Sequence, residues 1–196
     1  MNAEKRPLPP EHFDRLYRDD PDPWSFRTSW YEKRKRDLLL ACLPRMRFRS
    51  GYEPACANGE TSFELARRVD HLLCADYSGE AVALARQRLA GLGNVRVVRQ
   101  ALPEQWPQAR FELIVLGELG YYLGGQAWQR TCRKAAASLA QGGVLLACHW
   151  RHPIEGCTLT GDEVHEAITL AMGFAPSVQH LETDFRLELW ANEAPG

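Results

Sequence analysis

Short apolar runs recur along the chain, and between them lie stretches whose apolar residues are three or four positions apart. The runs predict five strands, at 52–56, 72–76, 95–99, 110–116 and 144–150. The stretches between them predict helices at 60–69, 78–91 and 126–139. Because strands that alternate with helices favour parallel pairing, the pattern predicts an α/β protein built on a parallel sheet.

The N-terminal segment has a different pattern, with several prolines and a cluster of aromatic residues. These aromatic residues are Trp24, Phe26, Trp30 and Tyr31. They indicate an irregular arm that is anchored by its rings. Ser29 and Glu32 fit a capping box for a helix that ends near Leu43. We expect a single domain over 1–196, in which 1–43 forms an arm and a helix that could cover a bound cofactor.

The C-terminal part carries its own turn and helix signals. Gly142 and Gly143 predict a turn that ends the preceding helix. The segment 160–163, Thr-Gly-Asp-Glu, fits a second capping box and opens a helix that Gly173 ends. The last two apolar stretches, 177–182 and 185–191, predict a hairpin.

Composition is that of a globular protein without a membrane span. The chain has 196 residues, of which 45% are hydrophobic. No stretch of about 18 uncharged apolar residues is present. The N-terminus has charges but no apolar core of a signal peptide, which predicts a cytoplasmic location. Six cysteines without a Cys-x-x-Cys pair predict buried thiols and no metal site.

The charge distribution favours a small-molecule partner over nucleic acid. The formal net charge of −1 gives no overall attraction to phosphates. The basic run at 33–36 indicates a solvated helix face, because aromatic residues that could stack on bases are not interleaved with it. RNA binding stays a minor alternative, and the sequence leaves the oligomeric state open.

The turn at 53–59 joins the first predicted strand to the next helix and consists largely of small residues. Such a turn lets backbone N–H groups approach a ligand, although close packing alone also favours small residues. Asp76 ends the second predicted strand, where folds of this kind place an acid that binds ribose hydroxyls. The turn and Asp76 together predict a site for a nucleoside cofactor.

Seven segments spread over nearly the whole chain carry a family resemblance. They are Asp22-Pro23-Trp24, Ser29-x-Tyr31-Glu32, the turn at 53–59, Asp76, Tyr121-Tyr122-Leu123, His149-Trp150-Arg151 and Thr160-Gly161-Asp162-Glu163-Val164-His165. The series resembles the class I S-adenosylmethionine-dependent methyltransferases of the nodulation protein S type. That resemblance implies a Rossmann-like fold, with a mostly parallel seven-stranded sheet, helices on both faces and an antiparallel final strand. It also implies S-adenosylmethionine as the cofactor and S-adenosylhomocysteine as the product.

The resemblance further implies which residues contact the cofactor. The methionine and ribose portions would meet the turn residues Glu53, Ala55, Ala57, Asn58 and Gly59. Asp76 would take the ribose hydroxyls, and Tyr77 would lie near the adenine. Ala101 and Leu102 would offer backbone contacts to the adenine edge. Independently of the resemblance, the arm residues Trp24, Arg27 and Tyr31 could cover the methionine end, with plain anchoring contacts as the alternative.

Several positions depart from the Glu-x-Gly-x-Gly-x-Gly pattern that such enzymes usually carry. Ala55 and Ala57 replace the first two glycines, and an alanine costs roughly 1 kcal/mol or more where the backbone is left-handed. The loop therefore either avoids positive φ or holds the cofactor differently. Pro54 cannot donate a ladder hydrogen bond, so we expect strand pairing to end there. Leu102 stands near where many relatives have an acid, which would leave adenine selection to backbone groups.

The methyl carbon of S-adenosylmethionine is electrophilic, so the enzyme mainly has to hold a nucleophile in line with it. An amine must also lose a proton to a nearby base. Glu118 follows the fourth strand and could orient an amine or contact the cofactor, with a solvated loop acid as the alternative. His149 ends the fifth strand and is a side chain that serves as a base near neutral pH, with a hydrogen-bonded core histidine as the alternative.

Further candidates for the acceptor site follow the same strands. Tyr121, as a catalytic residue, and Tyr122, as a substrate contact, could line the acceptor pocket, with ordinary helix packing as the alternative. Arg151 could hold an anionic or hydroxyl-rich substrate, or be a solvated loop residue. For Asp162 and His165, helix capping or surface exposure is favoured over substrate contact.

Three functions remain compatible with the sequence. The leading one is transfer of a methyl group to a small molecule, at an amine rather than an oxygen, with an amino sugar or oligosaccharide suggested only by the resemblance. The second is a catalytically impaired, methyltransferase-like protein that binds the cofactor or regulates, motivated by the two missing glycines. A nicotinamide-dependent oxidoreductase ranks last, because its Gly-x-Gly-x-x-Gly spacing is absent from the turn.

Overall fold

The computed structural model of the protein describes residues 8–192. Contacts between residues group the chain into two compact units. The first unit is Pro9–Gln100, and the second begins at Ala101 and includes Leu8. A single methyltransferase domain over 1–196 stays a prediction, and each unit is described by itself below.

The first unit contains helices that alternate with parallel strands. Its elements are α1 (Pro10–Asp19), α2 (Trp30–Ala41), β1 (Phe48–Pro54), α3 (Glu60–Leu65), β2 (Val69–Asp76), α4 (Gly79–Arg88) and β3 (Val95–Arg99). Strand β2 pairs in parallel with both β1 and β3. The pairing of β1 ends at Pro54, opposite Ala75, as expected for a residue without an N–H group. All three strands therefore end at the same edge, where the turn and Asp76 lie.

The second unit contains two parallel strands followed by an antiparallel hairpin. Its elements are β4 (Phe111–Gly117), α5 (Gly120–Leu123), α6 (Gly125–Ser138), β5 (Leu139–Trp150), α7 (Gly161–Met172), β6 (Val178–Leu181) and β7 (Phe185–Ala191). Strand β5 pairs in parallel with β4 and antiparallel with β7, and β7 pairs antiparallel with β6. Strand β4 is mostly buried and β5 is continuously buried over 143–149, which explains the apolar sequences of these stretches.

The seven strands form one sheet in the order β3-β2-β1-β4-β5-β7-β6. The pairs of the first unit and the β4–β5 pair are parallel, whereas β7 runs antiparallel between β5 and β6. This arrangement confirms the Rossmann-like fold with a mostly parallel sheet and an antiparallel final strand.

The N-terminal arm is more regular than its composition indicates. Helix α1 occupies a segment that we expected to be irregular. Its proline lies at the first helical position, where the missing N–H group costs nothing, and Glu11 and Arg18 suit the two ends of the helix dipole. Residues 1–7 of the predicted arm lie outside the described residues.

Several boundaries differ from the sequence prediction, and at two of them a strand takes residues that we assigned to a helix or a turn. Helix α3 ends at Leu65 rather than at 69, since Val69 already belongs to β2. Strand β5 begins directly after α6, so Gly142 and Gly143 lie inside the strand and not in a turn before it. A side chain at Gly143 would come within 3.0 Å of the Phe111 carbonyl oxygen, which explains the glycine. The short helix α5 was not expected.

The capping box predicted for α7 is complete, and of the box predicted for α2 the structure gives the Ser29 half. The Ser29 hydroxyl accepts the N–H of Glu32 at 3.4 Å, and Thr160 and Glu163 form a complete reciprocal capping box. Over residues 8–192, none of the helices is long and apolar enough to cross a membrane.

Candidate functional site

The turn after β1 contains three residues in the left-handed backbone region. The φ angles are 59° at Ala55, 52° at Ala57 and 84° at Gly59. Of the two alternatives that the sequence left open, a loop that avoids positive φ is therefore wrong. Each alanine carries a strain of roughly 1–2 kcal/mol. Since such strain persists only where neighbouring contacts impose it, other residues must hold this turn in place.

Asp76 holds the turn from the end of β2. Its Oδ2 accepts the N–H of Ala57 at 3.0 Å, and its Oδ1 accepts the N–H of Ser78 at 2.9 Å. Burial raises the pKa of Asp76 to about 6, although these backbone donors act in the opposite direction. Because a carboxylate has about four lone-pair sites, Asp76 can still accept a ligand hydroxyl. Asp76 therefore shapes the turn as well as offering an acceptor at its mouth.

Glu53 and Gly59 face the interior from the two ends of the turn. The Glu53 carboxylate, only 4% exposed, accepts the Ser62 hydroxyl and lies 3.8 Å from the Cys74 sulfur. Burial raises the pKa of Glu53 to about 7. A side chain at Gly59 would come within 3.2 Å of the Ala85 backbone, so glycine lets the turn lie against α4. A contact between Glu53 and a cofactor stays a prediction.

Asn58 joins the turn to the N-terminal arm. Its side chain is fully buried, and its Nδ2 donates to Asp22 Oδ1 at 2.9 Å and to the Pro21 carbonyl at 3.4 Å. Asp22 also accepts the backbone N–H groups of Phe26 and Arg27, at 2.8 and 3.0 Å. One carboxylate therefore fixes the shape of the arm and fastens it to the turn.

Two more contacts place the arm at the starts of α3 and α4. Asp14 of α1 accepts the Ser78 hydroxyl at 2.5 Å, directly after Asp76 and Tyr77. Arg27 donates to Glu60 at 2.9 Å, and Arg88 donates to the same carboxylate at 2.8 Å. The arm thus contacts the segments on both sides of the predicted cofactor site within the first unit.

The aromatic candidates of this unit lie in different surroundings. Trp24 packs between Tyr17 and Phe26, with ring centroids 5.6 and 5.7 Å away. The Lys35 ammonium lies 5.2 Å from the centroid of the Tyr31 ring. Tyr77 is 40% exposed, which leaves a ring face open for an adenine. Contacts of these three rings with a cofactor remain predictions.

Ala101 and Leu102 begin the second unit, in a short turn. The Ala101 N–H donates to Gln105 Oε1 at 2.7 Å, and the Ala101 carbonyl accepts the N–H of Gln105 at 2.9 Å. Leu102 is partly exposed. The Ala101 N–H is therefore already engaged within its own turn, whereas the Ala101 carbonyl can accept a second donor. Contacts of Ala101 and Leu102 with an adenine stay predictions.

Glu118 follows β4 with a left-handed backbone, at φ 49°. Its N–H donates to the Cys148 carbonyl at 3.0 Å, and its Oε2 accepts the Trp150 N–H at 3.0 Å and the Tyr121 hydroxyl. The preceding residue, Gly117, has open space where a side chain would lie. A partly buried carboxylate that two donors hold, on a residue with a strained backbone, is typical of a functional site.

Tyr121 and Tyr122 pack edge to face, with centroids 4.8 Å apart, but differ in exposure. Tyr121 is 2% exposed, and burial raises its pKa. Tyr122 is partly exposed. The Tyr121 hydroxyl therefore hydrogen-bonds to Glu118, whereas the partly exposed Tyr122 ring is the one that could contact an acceptor.

His149 is completely buried, and both of its ring nitrogens are engaged. Its Nε2 accepts the Gly120 N–H at 3.4 Å, and its Nδ1 lies 3.1 Å from His165 Nε2. The geometry gives no support to a base at the acceptor and matches the alternative of a core histidine. His165 is also 0% exposed and hydrogen-bonds to Glu188, so the expectation of a capping or surface residue is wrong.

The Arg151 guanidinium hydrogen-bonds to other groups of the protein. It makes two hydrogen bonds to Asp162, at 3.0 and 2.9 Å, and a third to the Glu182 carbonyl at 2.7 Å. These contacts tie the end of β5 to α7 and to the hairpin. The geometry therefore supports the structural alternative for Arg151 over the predicted contact with substrate.

Comparison with known proteins adds family membership to this geometry. A family model described as a methyltransferase domain matches residues 52–143. The crystal structure of a Pseudomonas syringae protein, provisionally assigned as a methyltransferase, is 47% identical and superposes with a TM-score of 0.74. That match covers 83% of this chain and 99% of the other. The chain belongs to the methyltransferase family.

Nodulation protein S sequences and structures are also similar to this chain. The Rhizobium tropici protein is 30% identical over 127 residues, 64% of this chain and 53% of the relative. The Sinorhizobium fredii protein is 29% identical over 111 residues. The chain spans about half the length of these curated relatives. The structure of the N-methyltransferase NodS from Bradyrhizobium japonicum in complex with S-adenosylhomocysteine is 22% identical in sequence and superposes with a TM-score of 0.83. The match covers 94% of this chain and 99% of that chain, so the two proteins share a fold.

Several residues that shape the candidate site were not singled out for these functions by sequence. They are Asp14, Asp22, Ser78 and Glu188. Only Asp22 had a usable signal, because an Asp-Pro step favours a turn that the aspartate itself caps. Within 8–192 no group of three or more histidine, cysteine, aspartate or glutamate residues is arranged to hold a metal ion.

Proposed function

We propose that this protein uses S-adenosylmethionine to methylate a small-molecule acceptor, releasing S-adenosylhomocysteine. The observation that carries the proposal is the left-handed turn at 55–59, tied to Asp76. A turn of this shape at the end of a parallel strand lets the backbone approach a nucleoside cofactor, and an acid at the end of the next strand suits ribose hydroxyls. Membership of the methyltransferase family supports this cofactor over a dinucleotide.

The acceptor is an amine, and Glu118 binds it. The sulfonium of the cofactor supplies an electrophilic methyl group, so the protein's main task is to hold the nucleophile in line and take up its proton. A carboxylate that the Trp150 N–H and the Tyr121 hydroxyl hold in place is a fixed negative charge for an ammonium group. It can also accept the proton directly or through water. Tyr122 then offers its ring face to the rest of the acceptor.

A sugar-like or amino-sugar acceptor is the finer form of this proposal. It rests on the similarity to nodulation protein S and to the NodS N-methyltransferase, and on no contact in this structure. We propose a cytoplasmic location on the sequence signals alone. The arm over 8–43 is proposed to cover the cofactor, since it already contacts Asn58, Ser78 and Glu60.

The alternative is a methyltransferase-like protein that binds the cofactor without turning it over. Its motive was the replacement of two glycines by Ala55 and Ala57. Because both alanines nevertheless adopt positive φ, the substitutions keep the turn in the conformation that glycines would take. The conformation of the turn therefore removes the reason for which the binding protein was considered.

Calorimetric titration with S-adenosylmethionine, S-adenosylhomocysteine and NAD tests the cofactor. We expect the first two to bind and NAD not to bind. Incubation with S-adenosylmethionine and a panel of amines, amino sugars and matched alcohols, read by mass spectrometry as a gain of one methyl group, then tests the reaction. Methylation of the alcohols alone would overturn the amine assignment, and cofactor binding without any methylated product would favour the alternative.

A further inference from the structure

A chain of buried polar side chains crosses the second unit. His149 on β5, His165 on α7 and Glu188 on β7 are at most 1% exposed. His149 Nδ1 lies 3.1 Å from His165 Nε2, and His165 Nδ1 lies 2.7 Å from Glu188 Oε2. The chain begins at the Gly120 N–H, which lies 3.4 Å from His149 Nε2. Buried polar groups are costly unless they are paired, so an arrangement of this kind has to be satisfied at every step.

The two ends of the chain decide where each proton lies. The Gly120 N–H can only donate, so His149 Nε2 must accept and the His149 proton must be on Nδ1. A carboxylate can only accept, so the His165 proton must be on Nδ1, facing Glu188. His165 Nε2 is then free to accept from His149 Nδ1. All three hydrogen bonds thus run in one direction, from Gly120 to Glu188.

The far end of the chain is fixed as an anion. Although burial opposes ionisation, hydrogen bonds from His165, Arg186 and Gln179 lower the pKa of Glu188 to about 2. Arg186 and Gln179 both donate to Glu188 Oε1, at 2.9 and 2.7 Å, so that oxygen and Oε2 each receive donors. Glu188 therefore accepts on both sides and cannot reverse the direction of the chain.

The near end of the chain lies in the turn that carries Glu118. Gly120 is two residues beyond Glu118, and a side chain there would come within 2.5 Å of Val164 on α7. The turn is thus tightly seated, and its Gly120 N–H depends on His149 for a partner. We propose that His165 and Glu188 are positioning residues of the acceptor site: they hold His149 in its Nδ1–H tautomer, so that Nε2 fixes the Gly120 N–H and the 118–121 turn. The acceptor part of this inference rests on the proposed function.

An additional proton on either histidine ring would disrupt the series of hydrogen bonds from Gly120 to Glu188. Protonated His165 would present an N–H to His149 Nδ1, and His149 would then have to carry its proton on Nε2, against the Gly120 N–H. Burial lowers the pKa of His165, which keeps its ring neutral at neutral pH. The titratable or charged groups that face the two rings are Tyr121 from α5, Asp162 from α7, and Arg186 and Glu188 from β7.

The isosteric variant Glu188→Gln tests the direction of the chain. A carboxamide has only one acceptor oxygen, and the charged Arg186 will claim it, which leaves the amide N–H facing His165. Both histidines should then switch to Nε2–H tautomers, and the Gly120 N–H should lose its acceptor. Nitrogen-15 NMR of the imidazole rings reads the tautomers directly. The matched control is Glu166→Gln. Glu166 is exposed and next to His165, but it takes no part in the hydrogen bonds from Gly120 to Glu188.

In wild-type protein at neutral pH we expect both rings as Nδ1–H tautomers. In Glu188→Gln we expect Nε2–H tautomers and hydrogen exchange at the Gly120 amide about tenfold faster, the effect of losing one hydrogen bond. Methyl transfer should then lose about tenfold in kcat, while S-adenosylhomocysteine affinity stays unchanged. Glu166→Gln should match the wild type in every measurement.

The outcomes separate this inference from the proposed function. If both histidines are Nε2–H tautomers in the wild-type protein, the inferred direction of the three hydrogen bonds is wrong. This result does not depend on activity or on whether the variant folds. Reversed tautomers in Glu188→Gln with unchanged Gly120 exchange and unchanged kcat overturn the positioning role. If wild-type protein methylates no acceptor, the proposed function fails, and the tautomers and the Gly120 exchange rate still decide whether His165 and Glu188 position the turn.

Discussion

Replacing Ala55 and Ala57 by glycine should stabilise the protein, even though glycine usually destabilises. Both alanines have left-handed backbones, at φ 59° and 52°. Relief of that strain is worth roughly 1–2 kcal/mol at each site. The greater freedom of glycine in the unfolded chain costs about 0.4–1 kcal/mol in return. The net gain in the free energy of unfolding should be about 0.5–1 kcal/mol for each substitution.

Urea unfolding followed by tryptophan fluorescence measures this gain. With an m-value of about 2 kcal/mol/M, the double variant should raise the midpoint by roughly 0.5–1 M. The matched control is Ala83→Gly, an exposed position inside α4, which should lose about 1 kcal/mol because glycine weakens a helix.

A double variant that is destabilised as much as Ala83→Gly would refute the reasoning. That result would mean that the methyl groups of Ala55 and Ala57 are needed for packing, or that the turn does not hold its left-handed conformation in solution. Calorimetry on the same proteins adds a second readout. Affinity for S-adenosylhomocysteine should be kept or improved, since the glycines relieve strain without removing a contact of Asp76.

Three further predictions concern single acidic residues. Asp76→Ala should weaken S-adenosylhomocysteine binding at least tenfold by calorimetry. It should also lower the free energy of unfolding by about 1–3 kcal/mol, since the Ala57 N–H loses its acceptor. The control Asp70→Ala, at an exposed ion pair on β2, should change neither quantity. Burial raises the pKa of Glu53 from 4.5 to about 7, so ionisation of Glu53 destabilises the folded state. The stability of Glu53→Gln relative to wild type should therefore rise between about pH 4.5 and pH 7. A stability difference that does not change with pH in urea titrations contradicts this. Glu118→Gln should lower kcat for an amine acceptor about tenfold or more with S-adenosylhomocysteine affinity unchanged, whereas Glu104→Gln, at an exposed ion pair, should leave both alone; a fully active Glu118→Gln enzyme would remove this residue from the acceptor site.

The sequence by itself determined the order of the strands and of the helices other than α1 and α5, and the edge at which the candidate cofactor site lies. Short apolar runs, two capping boxes and a C-terminal hairpin are local signals, because each depends on residues a few positions apart. They were enough to place Asp76 and the turn at 53–59 at the ends of neighbouring parallel strands. The break in pairing at Pro54 followed equally from its missing N–H group.

Only the tertiary structure decided which polar residues stay partly exposed and which are buried against each other. His149 and His165 are 16 positions apart, and Glu188 is another 23 beyond, so no local pattern reveals that they meet in the core. Asn58 likewise meets Asp22 over 36 positions. The left-handed φ angles of Ala55 and Ala57 were also hidden, because an alanine accepts that conformation only when distant contacts such as Asp76 enforce it. Hydrogen bonds between separate elements depend on how those elements pack, and packing is a property of the folded chain as a whole.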